Sequence, residues 1–383
     1  MFPSRYAYAV LPVLLLVSSA ARGEEAFRYA LGKHGKGELK YVNGLPVLTV
    51  RGTPEEIGEQ TGVLMRHAAP GLVGYFKKLL KTYRAEAAWP VLVKTGNLLL
   101  QRIPADYRKE LEAGAKASGT DRDLLIVSNT LWDIGKLRGC SAMLVDAGRS
   151  KTAQPFFGRN FDFPALGVLH DYSLVVVCRP RGKHAFASVS FPGLLGCTSA
   201  MNDSGLALAT LDAESTKDGS PKFDLSGVPL ILSFRRVLEE CTSVDEAVKL
   251  LSSVKRTTLM NLMICDKHGG VVIEMTPKNL VVRGPEEGLC LCTNHFRTPG
   301  LATSLECKRY AALEKSRDLA RIGLPQVAEN LHAVNKGNET IQTMIFEPTS
   351  LRLHLAIGKG PSSALPMKQL DLAALLVPAP DGK

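Results

Sequence analysis

None of the eight histidines in this chain stands at metal-ligand spacing from another. Cys290-Leu291-Cys292 has no second cysteine pair at zinc-ribbon distance. No metal site and no cofactor are therefore expected. Beyond the first two dozen residues, no stretch reaches the roughly 20 apolar residues that a bilayer span requires, which argues against an integral membrane protein. Internal repeats and low-complexity tracts are missing, as is any segment with the low hydrophobicity of a disordered tail. Lysine and arginine are scattered, and no aromatic-and-basic recognition motif accompanies them, so nucleic acid is not the expected partner. The formal charge of +10 then reads as a basic, soluble surface.

What the chain does carry begins at its N-terminus. Arg5 is followed by an apolar run from about Ala7 to Val17 and by the small residues Ser18-Ser19-Ala20-Ala21. This is the pattern of a secretory leader, expected to span 1–23 and to be cut near Ala21–Gly23. A secreted or periplasmic protein is expected, or a lysosomal one in a eukaryote, with no stable membrane insertion once the leader is gone. The remaining ~360 residues can bury one large core or two ordinary ones. Eight cysteines follow, most of them inside apolar runs such as Val175-Val176-Val177-Cys178, where a thiol behaves as a small hydrophobe. A chain this long does not need disulfides as staples.

Thr53-Pro54-Glu55-Glu56 predicts a capped helix with proline in its first turn. A second helix is expected over Asp106 to Ala117, and a third from a cap at Thr120-Asp121-Arg122-Asp123 to about Ile134. After Cys140 the pattern changes to strands, expected at 141–146, 155–162, 172–179, 184–191, 197–201 and 205–211. Helices at 229–241 and 244–253 lead to strands at 258–266, 270–276, 279–284 and 288–293. Helices at 304–320 and 324–334, then strands at 341–346 and 350–357, complete the pattern. Alternating blocks of strands and helix pairs imply an α+β fold, two antiparallel sheets stacked between helical layers and packed as one domain.

The most informative segment is Arg138-Gly139-Cys140-Ser141, with Gly158-Arg159-Asn160-Phe161-Asp162 close behind it. It places a cysteine at the head of an apolar strand and returns an arginine and an aspartate toward it. A cysteine of ordinary pKa, ~8.5, is mostly protonated at neutral pH and needs a base or a nearby cation. Cleavage before Cys140 would release an α-amine with a pKa near ~7.7–8.0, able to take the thiol proton as N-terminal threonine nucleophiles do. Asp162 would orient that amine and Arg159 would favour the thiolate. Their spacing of three puts the two side chains on opposite faces unless a bulge or twist intervenes. Asn294, in Thr293-Asn294-His295-Phe296, is the expected oxyanion donor, and Arg309 is placed to reach back to the site. Of Asn294 and His295, only one can face the thiol. Asn202, in Asn202-Asp203-Ser204-Gly205, suits a tight turn and is also a candidate substrate contact. Cys197 has a similar Gly-Cys-Thr context but no arginine–aspartate return strand.

These motifs together resemble the cysteine N-terminal-nucleophile amidohydrolases, in particular the isopenicillin-N-acyltransferase-like branch, with penicillin V acylase, bile salt hydrolase and acid ceramidase as more distant relatives. The likeness runs over about residues 50–360. It includes Arg51-Gly52-Thr53-Pro54-Glu55-Glu56-Ile57-Gly58, Tyr107 to Gly119, Leu124 to Asn129, and the segments around Cys140 and Asp162. Met201-Asn202-Asp203-Ser204-Gly205-Leu206 and the Thr293-Asn294-His295-Phe296 run complete it. Phe161 stands where the family has tryptophan, and Ala200 where it has glycine. Asp212 falls where bile salt hydrolases carry an asparagine. An aspartate there is either protonated, turned away, or recognising a substrate amine.

The resemblance implies an αββα four-layer sandwich, self-cleavage at Gly139–Cys140, and a largely helical pro-segment (24–139) that stays with the catalytic region (140–383). It also implies Cys140, Arg159, Asp162, Asn294 and Arg309 as catalytic residues. The expected substrate is a small N-acyl amide, hydrolysed through an acyl-thioester or transferred to an amine. A non-catalytic secreted binding protein is the competing reading, and a papain-like protease lacks the expected flanking pattern.

Overall fold

The computed structural model describes residues 26–135 and 139–377. The expected leader and Arg138, just before Gly139–Cys140, lie outside them. The chain opens with strands β1 (Gly32–His34), β2 (Gly37–Val42) and β3 (Leu45–Gly52). Five helices follow: α1 (Pro54–Met65), α2 (Ala69–Thr82), α3 (Trp89–Leu100), α4 (Ala105–Ser118) and α5 (Arg122–Ile134). The segment before Cys140 is thus not simply helical. Two of its three strands were legible at Asn43-Gly44, where both residues take positive φ (49° and 75°) and Val42 pairs with Leu45. That dipeptide between apolar runs is a tight hairpin signal.

Next come β4 (Gly139–Val145), β5 (Phe156–Asp162), β6 (Leu174–Pro180), β7 (Phe186–Ser190), β8 (Ser199–Asn202) and β9 (Ala207–Asp212). Helices α6 (Leu230–Glu240) and α7 (Val244–Ser253) precede β10 (Met260–Asp266), β11 (Gly269–Met275), β12 (Leu280–Arg283) and β13 (Leu289–Cys292). The chain ends through α8 (Lys308–Glu314), α9 (Leu324–Ala333), β14 (Thr340–Glu347), β15 (Arg352–Ile357), β16 (Lys368–Asp371) and α10 (Leu372–Leu376). The helix expected at 304–320 is shorter than its pattern, because regular α-helix starts only at Lys308 and gives way to a 3-10 turn at Lys315.

A ten-stranded sheet has the order β1-β2-β3-β6-β7-β8-β9-β10-β11-β12, and a six-stranded sheet the order β13-β4-β5-β14-β15-β16. Every pairing between these strands is antiparallel except β3 with β6, which joins the segment before Cys140 to the sheet that follows it. Between the sheets lies a shared apolar core that includes Cys140, Leu144, Phe157, Phe161 and Met263. Outside the six-stranded sheet, α8 and α9 cover Met143, Val145, Phe156 and Ile345. Outside the larger sheet lie α1, α6 and α7. The result is the αββα sandwich.

Local chemistry places the helices. Thr53 Oγ1 accepts from Glu56 N while Glu56 Oε2 accepts from Thr53 N, a reciprocal cap at the start of α1. Gly58 lets α1 and α4 approach closely: a β-carbon there would stand 2.2 Å from Glu110 O. The contact that binds this layer to the rest is polar and buried. Arg235 of α6 donates to both Glu110 carboxylate oxygens of α4 at 2.8 and 2.6 Å, and to Glu239 at 2.8 Å. Tyr107 of α4 and Lys183 each donate to Glu239 Oε2, at 2.8 and 2.7 Å. Burial would raise the Glu239 carboxyl, but Arg235 and Lys183 outweigh it and hold Glu239 below the usual range.

Candidate active site

Cys140 is the second residue of β4, and its neighbour β5 brings the return motif into register. Gly139 lies opposite Asp162, Cys140 opposite Phe161, and Ala142 opposite Arg159. The β4–β5 ladder is regular, and the register shift beside Asp162 lies in β14, between Thr340 and Gln342, so the spacing of Arg159 and Asp162 within β5 stays uncorrected. They serve opposite faces of the sheet. Arg159 points between the sheets, where its Nη2 donates to Cys140 Sγ at 2.8 Å. The same guanidinium donates to Thr198 O at 2.8 Å and Thr210 O at 3.1 Å, and also to Ser199 Oγ. Its carbon lies 5.1 Å from the Phe161 ring centroid. Fully buried and anchored to β9 and the chain entering β8, the cation is held beside the sulfur, where positive charge favours thiolate.

Asp162 ends β5 on the other face. Its Oδ1 accepts from Thr340 Oγ1 at 2.6 Å. Its Oδ2 lies 3.6 Å from Arg309 Nη1 and has no hydrogen-bond donor among the described residues. Burial pushes this carboxyl up to about 6, against the pull of Thr340, Arg309, Arg159 and Lys336. Burial prevails partly because Arg309 spends its closest contact elsewhere: Nη1 donates to Cys140 O at 2.6 Å.

Asn294 sits in the bend just after β13. Its Oδ1 accepts from Cys140 N at 2.7 Å and from Arg309 Nη2 at 2.8 Å. Its Nδ2 donates to Asp212 O at 2.9 Å. Two donors on one side and a carbonyl on the other fix the orientation of the amide. Asn294 is therefore the member of the Asn294–His295 pair that meets Cys140. Arg309, in the first turn of α8, joins the Cys140 carbonyl, the Asn294 amide and the Asp162 carboxylate.

The structure thus gathers Gly139, Cys140, Arg159, Asp162, Asn294 and Arg309 at one point, with Asp212 at its border through the end of β9. Asn202 has a different position. Its Nδ2 donates to Leu238 O and Cys241 O at 3.0 and 2.8 Å, and its Oδ1 accepts from Ser204 N and Leu206 N at 3.1 and 2.9 Å. Every hydrogen-bonding group of that side chain goes to backbone, tying the β8–β9 turn to the end of α6, and none is left to offer a substrate. Cys197 is a buried thiol pushed up to about 12 by burial, which the nearby Arg235 does not offset. All eight cysteines are free thiols.

Sequence reasoning missed Thr340 and Asn261. Asn261 of β10 donates from Nδ2 to Thr293 O at 3.1 Å and to His295 O at 3.2 Å, gripping the bend on both sides of Asn294. An asparagine in the otherwise apolar run Met260–Ile264 was the signal for it.

Residues 149–336 match the sequence profile of the family described as acyl-coenzyme A:6-aminopenicillanic acid acyl-transferase. Over that stretch the chain is similar to this family. The match takes in Arg159, Asp162, Asn294 and Arg309 and begins downstream of Cys140. A curated protein of Archaeoglobus fulgidus, described as uncharacterized, is 25% identical over 309 residues, which are 72% of this chain and 51% of that one. This chain therefore spans about half the length of that relative. Among solved structures, the chain is similar to a Caenorhabditis elegans N-acylethanolamine-hydrolyzing acid amidase ortholog. They are 17% identical with a TM-score of 0.43, over 55% of this chain and 93% of that one. It is also similar to a variant of conjugated bile acid hydrolase from Clostridium perfringens (16%, TM-score 0.45, over 61% and 93%). Penicillin V acylase from Agrobacterium tumefaciens is a third (15%, TM-score 0.42, over 60% and 84%). Among the described residues, no helix is long and apolar enough to cross a membrane.

Proposed function

We propose that this protein is an exported, self-processing cysteine amidohydrolase that cleaves linear N-acyl amides through an acyl-thioester on Cys140. The observation that carries the reading is the 2.8 Å contact between a fully buried arginine and the Cys140 sulfur, next to a Cys140 nitrogen already held by Asn294. Cleavage of Gly139–Cys140 turns that nitrogen into an amine. The amine takes the thiol proton, Arg159 favours the thiolate, and the sulfur adds to the acyl carbonyl. Asn294 serves the developing oxyanion, the amine proton passes to the leaving nitrogen, and water resolves the thioester. Asp162 and Arg309 hold the terminus in place.

The α and β chains stay associated in this reading. The β3–β6 pairing and the buried Glu110–Arg235–Glu239 cluster both join residues before Cys140 to residues after it. The acyl group is apolar. An apolar cleft, open to solvent, runs between α1, α2, α4 and α5, and its wall includes Leu72, Phe76, Leu125, Trp132, Phe163 and Phe191. None of the catalytic candidates lines it. Phe161 links the two regions: its ring lies 5.9–6.0 Å from those of Trp132, Phe163 and Phe191, and Arg159 lies on it.

The test is amine release from a panel of N-acyl amides, with intact mass measured on the same preparation. Leu125→Trp, which narrows the cleft, is expected to raise KM for long-chain acyl substrates about tenfold, or ~1.4 kcal/mol. It should leave acetyl substrates and kcat unchanged. An equal effect on both substrates would remove the acyl chain from the cleft.

Asp162 gives a pH dependence. Its carboxyl is raised to about 6, so cleavage of the precursor is expected to slow as pH falls through that value, while the slower Asp162→Asn chain shows no such step. Arg309, Lys336 and Thr340 are the groups facing it, and the Arg159 charge acts from across the sheet. The sign for stability is opposite. A raised carboxyl contributes stability that is full below the ordinary carboxyl range and lost as pH rises through about 6. Comparing denaturation of Cys140→Ala with Cys140→Ala/Asp162→Asn from pH 4 to 7 isolates that contribution.

A further inference from the structure

Among the described residues, Lys336 lies on the side of the scissile bond that Arg159 and Arg309 do not hold. It follows α9, in the turn that leads to β14, and its side chain covers Gly139. A β-carbon at position 139 would stand 2.7 Å from Lys336 Cδ and 2.8 Å from Nζ, so the lysine lies against the residue that supplies the carbonyl to be attacked. Gly139 itself is buried. The turn is tied to the reaction centre at several points. Lys336 N donates to Thr340 Oγ1 at 2.7 Å, and that hydroxyl donates to Asp162 Oδ1. Glu339 O accepts from Phe163 N at 2.8 Å, fixing the turn to the residue after Asp162. The Lys336 ammonium pairs with Glu339 Oε2 at 2.7 Å and stays 39% exposed. By contrast, Arg159 is committed to the thiol and sheet carbonyls, and Arg309 holds the carbonyl on the far side of Cys140.

We propose that Lys336 assists cleavage of the Gly139–Cys140 bond by neutralising the negative charge that forms on the Gly139 carbonyl oxygen. The inference rests on the self-cleavage put forward above. Cys140 Sγ gives up its proton and adds to the Gly139 carbonyl carbon, which places an electron pair on the oxygen. The C–N bond then breaks, the Cys140 nitrogen takes the proton and becomes an amine, and Gly139 is left as a thioester on Sγ. Water adds to that thioester, the C–S bond breaks, and Gly139 departs as a carboxylate while the thiol is restored and one proton is released to solvent. Negative charge builds on the Gly139 oxygen in both additions and ends there permanently. Among the described residues, Lys336 is the cation against Gly139.

Losing one donor to an oxyanion costs about 10²–10³-fold in a dry site, and the partial exposure of this ammonium reduces the expected effect to about tenfold. The experiment follows intact mass over time for four full-length chains: wild type, Lys336→Met, Lys336→Arg and Cys140→Ala. Lys336→Met is expected to be cut about tenfold more slowly than wild type, Lys336→Arg to recover most of the rate, and Cys140→Ala to stay whole. Denaturation midpoints of Cys140→Ala with and without Lys336→Met should coincide, which separates charge loss from misfolding. Cleavage of Lys336→Met at the wild-type rate would overturn the proposal. So would a Lys336→Arg chain as slow as Lys336→Met, because shape and not charge would then be at work. A wild type that is never cut would instead overturn self-cleavage itself.

Discussion

Cys140→Ala is expected to remain a single chain and to hydrolyse no amide, whereas the wild type divides at Gly139–Cys140 and turns over. One substitution removes both activities because the same sulfur attacks two carbonyls, first that of Gly139 and then that of the substrate. Loss of a nucleophile from a unit that acts together typically costs about 10⁶-fold in kcat. The fold should survive, since Cys140 is small, buried and neighboured by Ala142 and Phe161 in a regular ladder. Intact mass and amine release, measured on one preparation, decide the matter. A wild type that stays whole yet hydrolyses amides would eliminate the terminal-amine mechanism and leave Arg159 as the sole activator of the thiol.

Arg235→Met is the substitution expected to weaken the fold most. It leaves Glu110 and Glu239 buried without their shared cation, 2.6–2.8 Å from where it stood. Removing one partner from a buried ion pair costs about 3–5 kcal/mol, chiefly because the remaining charge is stranded. Denaturation in the Cys140→Ala background reads this cost on one continuous chain. In the cut protein the same change should release the 24–139 chain on size exclusion, since α4 then loses its main polar anchor to α6. Lys183→Met should cost less, because Lys183 is a quarter exposed (26%) and water screens it. If the cut chains stay together in Arg235→Met, the β3–β6 pairing rather than the ion cluster carries their association.

Local signals made most of the fold legible before any coordinates. Short runs bounded by turn residues after Cys140 marked β4 to β15 to within a few residues, because most of these strands are buried on both faces. Thr53 and Glu56 marked the start of α1, and Ser243 with Glu246 that of α7, through side-chain-to-backbone bonds that need no tertiary partner. The Asn43-Gly44 hairpin was equally local and was overlooked. Helices α2 and α3 also went unread; in α2 the apolar residues Leu72, Val73 and Phe76 line the cleft.

The grouping of Cys140 with Arg159 and Asp162 depended only on a hairpin, whose strands must return opposite one another, and so the amino-acid order already contained it. Which face each side chain serves did not follow from that order. The six-stranded sheet has the other sheet on one side and α8 and α9 on the other, so residues three apart on β5 reach a thiol on one face and the Thr340 hydroxyl on the other. Asn202 shows the same limit from the opposite direction. Its turn motif is local, but the carbonyls at the end of α6 that consume its amide arrive from 36 and 39 residues away. Asn261, Thr340 and Lys336 join the site only through sheet order and the turn before β14. Contacts between elements distant in sequence arise from packing, and no local pattern encodes them.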